Sequence, residues 1–111
     1  MKEVYIVSAG RTPVGSLSGV FDSLTAIDLG KTAINGAIER AGLAHDQAEE
    51  LFMGNVITAN VGQAPARQAA LAAGLPKSVP STAVNKVCAS GMKAIMHGVQ
   101  SILTGDNDIV V

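Results

Sequence analysis

The stretch STAVNKVCASGMKAIMHGVQSILTG (residues 81–105) holds a predicted strand, a predicted helix and the only cysteine of the chain. Its first part, STAVNKV, predicts a strand. Apolar residues then recur at helical spacing from Cys88 to about Thr104, and Gly105 predicts the end of the helix. A strand followed directly by a helix is one unit of an α/β fold, and it places Cys88 at the junction of the two elements.

The rest of the chain continues this alternation. Further strands are predicted at VYIVSA (residues 4–9), LFMGNVI (residues 51–57) and the terminal run DIVV (residues 108–111). One helix starts at the Thr25-x-x-Asp28 pattern and ends near Ala41, and another has Pro65 as its first residue. The order βαβαβαβ predicts a mainly parallel sheet with right-handed crossovers and helices on both faces.

Composition excludes several classes of protein. Hydrophobic residues make up 48% of the 111 residues, which is enough for a packed core and argues against disorder. The net charge of −1 and the scattered lysines argue against a nucleic-acid partner, and no apolar run is long enough for a membrane span. A single cysteine cannot form an internal disulfide, so a reducing compartment is expected, the cytoplasm or a mitochondrial matrix.

The third helix divides into stripes when it is drawn as a wheel. Its wide apolar stripe consists of Cys88, Met92, Ile95, Met96, Val99, Ile102 and Leu103. A second stripe contains only the small residues Gly91, Ala94, Gly98 and Ser101. We expect the large apolar stripe to lie on the sheet and a second helix from elsewhere to pack on the small stripe.

Two interpretations of Cys88 follow from its position alone. Free N–H groups at a helix start favour a thiolate, and ligands bind at the C-terminal ends of parallel strands, so Cys88 is a candidate nucleophile. Free cysteine is also among the most buried residue types, which makes a core residue slightly the better interpretation. One cysteine and two distant histidines predict no metal site.

No base for the thiol is visible in the sequence. His97 lies roughly 13 Å further along the same helix and on its opposite side, and His45 is expected at the other edge of the sheet. Arg67, near the start of the second helix, is a candidate anion ligand, although a salt bridge is the simpler expectation.

The segment NKVCASGMKA closely resembles the nucleophile segment of the thiolases, in particular their acetyl-CoA acetyltransferase (acetoacetyl-CoA thiolase) branch. The segments VYIVSAGRTPVGS, GNV, GQAPARQAALAAGLP and SILTGDNDIVV are similar to the family as well, so the resemblance covers the whole chain. It implies that Cys88 accepts an acetyl group from acetyl-CoA or acetoacetyl-CoA as an S-acetyl intermediate, and that its backbone N–H helps to bind the oxyanion.

The resemblance also implies partners. CoA thioesters are expected as substrates without any further cofactor, although no CoA-binding residue is identified here. The family packs two similar α/β halves in five layers, with such helices at the centre, and it forms homodimers or homotetramers. These partners imply a role in lipid metabolism.

The chain departs from the family pattern in what it lacks. An Asn-bearing loop, a Gly-His-Pro histidine, a second cysteine in a Gly-rich turn and the CoA-binding loop region are not present, and neither His45 nor His97 has the required context. Because the chain stops within an apolar run, residues 1–111 are expected to be the N-terminal part of the nucleophile domain, inactive on their own. The alternative is a thiolase-like binding module with Cys88 in its core.

Overall fold

Three helices alternate with two strands in the computed structural model, which describes residues 2–111. The elements are α1 (Ala26–Ala41), β1 (Leu51–Gly54), α2 (Pro65–Ala73), β2 (Ser81–Val84) and α3 (Ser90–Thr104). A short 3₁₀ helix, His45–Gln47, lies between α1 and β1.

The ends of α1 follow from local chemistry. The Thr25 hydroxyl accepts the Asp28 N–H at 3.3 Å, and the Asp28 carboxylate accepts the Thr25 N–H at 2.8 Å. This capping box satisfies two backbone donors that would otherwise have no partner. At the other end Gly42 takes the left-handed conformation, with φ +68°. Both predicted ends of the helix are therefore confirmed.

The sheet is parallel. Strand β1 pairs with β2 in a register that sets Leu51 opposite Ser81 and Gly54 opposite Val84. Along its other side β1 meets residues 109–111: the Phe52 N–H donates to the Val111 carbonyl at 2.9 Å, and the Val111 N–H donates to the Glu50 carbonyl at 3.0 Å. The terminal apolar run thus meets β1 through an isolated parallel bridge between Glu50 and Val110, and the predicted fourth strand is not formed among the described residues.

Successive side chains of β1 point to opposite faces of the sheet. Leu51 packs in the core that α1 and α2 form, and Met53 lies beside Gly30 of α1. On the opposite face the Phe52 ring stacks on His97 of α3. Helices therefore cover both faces, which confirms the predicted α/β class. The main core consists of Ile34, Ile38, Ala48, Leu51, Ala69, Ala70, Ala73, Leu75 and Val79.

The predicted first strand, residues 4–9, is not a strand in the structure. The Ser8 hydroxyl donates to the Ala37 carbonyl at 2.7 Å, and Arg40 donates to the Ala9 carbonyl at 2.8 Å, so the segment lies against α1. Tyr5, Ile6 and Val7 are each more than 70% exposed. The prediction fails because a strand needs a hydrogen-bonded neighbour, and no residue from 2 to 111 supplies one.

An apolar cleft of about 640 Å³ lies beside this segment. It is lined by residues 4–10, by residues 109–111 and by side chains of α1, β1 and α3. Cys88 is not among the lining residues. This cleft is therefore separate from the thiol.

The orientation of α3 is opposite to the prediction. The side chains that it buries belong to Ser90, Ala94, Gly98 and Ser101, which include three members of the predicted small stripe. A Cβ atom on Gly98 would lie 3.2 Å from a methyl carbon of Val110, so only a small residue allows this close approach. The helix lies on the sheet through its small stripe, and the expected second helix cannot occupy that face.

The large apolar stripe of α3 faces away from the sheet. Its exposed members include Met92, Ile95, Met96 and Leu103. The prediction assumed that the largest apolar side chains fill the nearest available core. The close approach of α3 to β1 leaves no room for them, so this face stays open in residues 2–111.

Candidate active site

The turn between β2 and α3 carries Cys88 at the C-terminal end of the sheet. Helix α3 begins at Ser90, two residues later than predicted, so Cys88 precedes the helix instead of starting it. The thiol is exposed. The expectation of a core cysteine is therefore wrong, and its placement at the junction of strand and helix is confirmed.

Hydrogen bonds close this turn tightly. The Asn85 side-chain oxygen accepts the Val87 N–H at 3.0 Å, as in an Asx turn. The Ala89 N–H donates to the Lys86 carbonyl, and the Ser90 N–H donates to the Val87 carbonyl, each at 3.1 Å. Three residues before Cys88 (Asn85, Lys86 and Val87) and two after it (Ala89 and Ser90) are thus held by bonds within the turn.

Val87, the residue before the cysteine, has a strained backbone. Its φ is +49°, in the left-handed region that β-branched residues rarely adopt. Its side chain is mostly exposed, so burial of apolar surface does not compensate for the strain. Strain that the surroundings impose is a feature of functional sites, and here it is adjacent to the one thiol.

Ser90 holds the strained turn from inside. Its side chain is almost fully buried, with 4% of the residue exposed. The hydroxyl donates to the Val87 carbonyl at 2.6 Å and accepts the Lys86 N–H at 2.9 Å. Ser90 therefore bridges the two residues that precede Cys88.

The start of α3 also touches the end of β1. A Cβ atom on Gly54 would lie 2.7 Å from the Gly91 nitrogen, so the two backbones are in direct contact. Only glycine at position 54 leaves room for this approach. The contact places the Cys88 turn above the C-terminal ends of both strands, where parallel sheets bind ligands.

Neither histidine is a hydrogen-bond partner of the thiol, and each contacts another residue. The His97 ring stacks on Phe52, with 5.7 Å between the ring centroids. The His45 Nε2 atom lies 2.8 Å from the side-chain oxygen of Asn35. Within residues 2–111 no side chain forms a hydrogen bond with the Cys88 thiol, and that its base lies elsewhere stays a prediction.

Arg67 bonds to two backbone carbonyls in the structure. Its guanidinium donates to the Val79 and Lys77 carbonyls, both at 2.6 Å. These bonds tie α2 to the loop that enters β2, and Arg67 forms no salt bridge with another residue of 2–111. Among residues 2–111 no cluster of three potential metal ligands is found, and no helix has the length and apolarity to cross a membrane.

Sequence reasoning missed Val87 and Ser90. A valine gives no signal for a left-handed conformation, because its own preference opposes it. Asn85 offers a weak signal, since asparagine two residues before a turn position favours an Asx turn. A serine within a predicted helix gives no signal that its hydroxyl bonds to the turn before the helix.

Comparison with known proteins gives consistent matches. The family model described as "Thiolase, N-terminal domain" matches residues 4–111. An acetyl-CoA acetyltransferase of Schizosaccharomyces pombe is 61% identical over 98% of this chain and 28% of its own length. The mitochondrial acetyl-CoA acetyltransferase of Homo sapiens is 56% identical over 100% of this chain and 26% of its own length.

The fold gives the same result. The Acat5 thiolase of Ascaris suum, solved in complex with coenzyme A, superposes with a TM-score of 0.96 at 46% identity, covering 98% of this chain and 28% of that one. The chain thus spans about a quarter of the length of the curated relatives that it matches.

Proposed function

The chain belongs to the thiolase family, and we propose that Cys88 is the acyl-accepting nucleophile of an acetyl-CoA C-acetyltransferase. The reaction makes acetoacetyl-CoA from two acetyl-CoA molecules or cleaves it with CoA. The observation that carries the proposal is the exposed thiol on a strained turn at the C-terminal end of β2. A structural cysteine needs neither the exposure nor the strain.

The first half-reaction forms a new thioester. The Cys88 thiolate attacks the carbonyl carbon of acetyl-CoA, and the carbonyl oxygen becomes an oxyanion. The carbon–sulfur bond to CoA then breaks, and the CoA thiolate leaves and takes up a proton. The Cys88 N–H donates to no acceptor among residues 2–111, so it is free to bind the oxyanion.

The second half-reaction forms a carbon–carbon bond. A second acetyl-CoA loses a proton from its methyl carbon, and the resulting carbanion attacks the S-acetyl carbonyl. Acetoacetyl-CoA is released, and the Cys88 thiolate is regenerated. In the reverse direction CoA removes the acetyl group. The acids and bases for these proton transfers come from polypeptide outside the 111 residues, as the resemblance implies.

The test is direct detection of the intermediate. The complete polypeptide that contains this chain is mixed with acetyl-CoA, quenched in acid and digested. We expect the mass of one acetyl group on the Cys88 peptide and none in Cys88→Ala. An unmodified Cys88, together with thiol alkylation no faster than that of a model peptide, would contradict the proposal.

The 111 residues alone are expected to give no turnover, because no base hydrogen-bonds to Cys88 within them. Acetoacetyl-CoA cleavage is followed with the isolated chain and with Cys88→Ala. A measurable rate that disappears in the variant would show that the chain is sufficient by itself.

A binding module without catalysis is the second candidate. The exposed side chains of Met92, Ile95, Met96 and Leu103 favour it, because they form an apolar surface on α3. The core position expected for Cys88 in this module is wrong, because the thiol is exposed. Absence of S-acetylation in the complete polypeptide would favour this candidate.

Partners and location complete the proposal. The resemblance supports a homodimer or homotetramer, which light scattering on the complete polypeptide measures. We infer that no metal or further cofactor takes part, so a chelator should leave the rate unchanged. The single exposed thiol fits a reducing compartment, the cytoplasm or a mitochondrial matrix, and the human relative is named as mitochondrial.

A further inference from the structure

We propose that the Ser90 hydroxyl is a positioning group that aims the Cys88 N–H at the acyl oxygen. It does so by fixing the peptide plane between Val87 and Cys88. The inference rests on the proposed function, since it assumes that an oxyanion forms beside Cys88.

The geometry of one peptide unit carries the argument. The Val87 carbonyl and the Cys88 N–H belong to the same planar group, and no peptide bond of the described chain is cis. In a trans unit these two groups point in opposite directions. The Ser90 hydroxyl and the Ser90 N–H both donate to the Val87 carbonyl, at 2.6 and 3.1 Å. Holding the carbonyl towards Ser90 therefore directs the Cys88 N–H away from it.

The freed N–H is available to a ligand. No acceptor among residues 2–111 receives it, although the neighbouring N–H groups of Val87, Ala89 and Ser90 all have partners within the turn. Among the N–H groups of residues 86–90, only that of Cys88 is therefore unpaired, and it belongs to the residue that carries the thiol.

Ser90 is not an ordinary helix cap. A capping side chain accepts a hydrogen bond from an N–H of the first helical turn. The Ser90 hydroxyl instead accepts the Lys86 N–H, from the residue before the strained position, and donates to Val87. Both bonds act on the turn that precedes α3. With 4% exposure, Ser90 is held by packing and forms a rigid anchor for that turn.

The left-handed Val87 makes this anchor necessary. Its conformation is unfavourable for a β-branched residue and relaxes when the bonds that impose it are removed. Ser90→Ala removes two of them, because both the Lys86 N–H and the Val87 carbonyl lose the hydroxyl. Relaxation rotates the peptide plane and moves the Cys88 N–H, while the thiol remains in place to react.

The test compares two reactions of the same thiol in the complete polypeptide. S-acetylation by acetyl-CoA develops an oxyanion, whereas alkylation by iodoacetamide displaces iodide and develops none. In Ser90→Ala we expect the acetylation rate to fall by about 10- to 100-fold, somewhat less than loss of a whole oxyanion donor. We expect the alkylation rate to change little, so the ratio of the two rates falls.

A matched control is available on the same helix. Ser101 is also buried in α3, and its hydroxyl is paired with the Asn107 side chain far from the turn. Ser101→Ala should lower the melting temperature but keep the wild-type ratio. An unchanged ratio in Ser90→Ala, or an equal fall in Ser101→Ala, overturns the inference.

One more variant, at an exposed position, tests how the peptide plane between Val87 and Cys88 is held. Asn85→Ala removes the bond from the Val87 N–H at an exposed position, and it should lower the ratio by a smaller factor. If Ser90→Ala does not fold, an unchanged ratio in Asn85→Ala overturns the inference. Failure of the proposed function looks different, because the wild-type protein would then not be acetylated at all.

Discussion

Helices α1 and α3 begin in contrasting ways. At the start of α1, Thr25 and Asp28 bond to each other's backbone N–H groups. At the start of α3, the N-cap residue is Ala89, which offers no side-chain acceptor. The polar side chain nearby, Ser90, turns back towards the preceding turn instead.

The two helix starts have different roles: that of α1 stabilises the fold, and that of α3 lies beside the candidate active site. The start of α1 satisfies its donors and lowers the pKa of Asp28 through hydrogen bonds from Thr25. The turn before α3 uses its bonds to hold a strained residue and leaves the Cys88 N–H unpaired. At a helix start that only supports the fold, the backbone N–H donors are paired within the chain. At one that binds a ligand, a donor is left unpaired.

Removal of the thiol should have the largest effect of all. Cys88→Ala is expected to lower acetyl transfer in the complete polypeptide by on the order of 10³-fold or more. Because the side chain is exposed, the free energy of unfolding should change by less than about 0.5 kcal/mol. Steady-state rates and thermal melting measure the two quantities. A large loss of stability would place Cys88 in the core after all.

Gly54→Ala should affect both the fold and the turn. Its Cβ atom would lie 2.7 Å from the Gly91 nitrogen, so β1 and α3 must separate. We expect a loss of about 1–3 kcal/mol in the free energy of unfolding, from overpacking. Slower S-acetylation should accompany it, since the start of α3 moves.

Gly36→Ala is the matched control for that change. No atom lies within 4 Å of the Cβ position at Gly36, in the interior of α1. This variant should gain about 0.5–1 kcal/mol, because alanine favours a helix. If chemical denaturation showed that both variants change the free energy of unfolding in the same direction, the close approach at Gly54 would not explain the loss of stability in Gly54→Ala.

Thr25→Ala tests the closed helix start. Loss of the capping hydroxyl should cost about 1 kcal/mol of stability, measured by denaturation. The S-acetylation rate of Cys88 should stay at the wild-type value, because the capping bonds of Thr25 are made with Asp28 and not with the turn before α3. A slower rate would show that the two helix starts are coupled.

The smallest effect is expected at Glu49. Its carboxylate accepts the N–H groups of Asp108 and Ile109, and these bonds hold the pKa of Glu49 below its ordinary value of 4.5. A lowered pKa in the folded state gives stability above that ordinary value, which is lost as the pH falls through the folded pKa. Glu49→Gln should therefore make the melting temperature less dependent on pH below about pH 5. If the pH dependence of the melting temperature were unchanged in this variant, other carboxylates would be its cause.

Local signals predicted the parts of the fold that local chemistry decides. The pattern Thr25-x-x-Asp28 and the glycines at positions 42 and 105 located helix ends correctly. Pro65 does begin α2. The segment around Cys88 also identified the family, because it carries residues whose spacing is specific to it.

The sequence could not predict what depends on neighbours. Residues 4–9 have the composition of a strand, but pairing requires a partner. The wheel of α3 separates large from small residues without saying which stripe meets the sheet. Gly54, far away in sequence, decides that question, because it lets the small stripe approach β1. Val87 likewise has a left-handed conformation that valine disfavours, and Ser90, three residues later, bonds to its carbonyl.

The unpaired segment beside the apolar cleft has a consequence for handling the isolated chain. Between Val4 and Val7 the backbone forms no hydrogen bond to another described residue, and Val110 forms none through its own N–H or carbonyl. Edges of this kind, flanked by exposed apolar side chains, are templates for strand addition between molecules. The isolated 111 residues are therefore expected to aggregate through these edges. Aggregation should increase with protein concentration at temperatures where the helices are still folded.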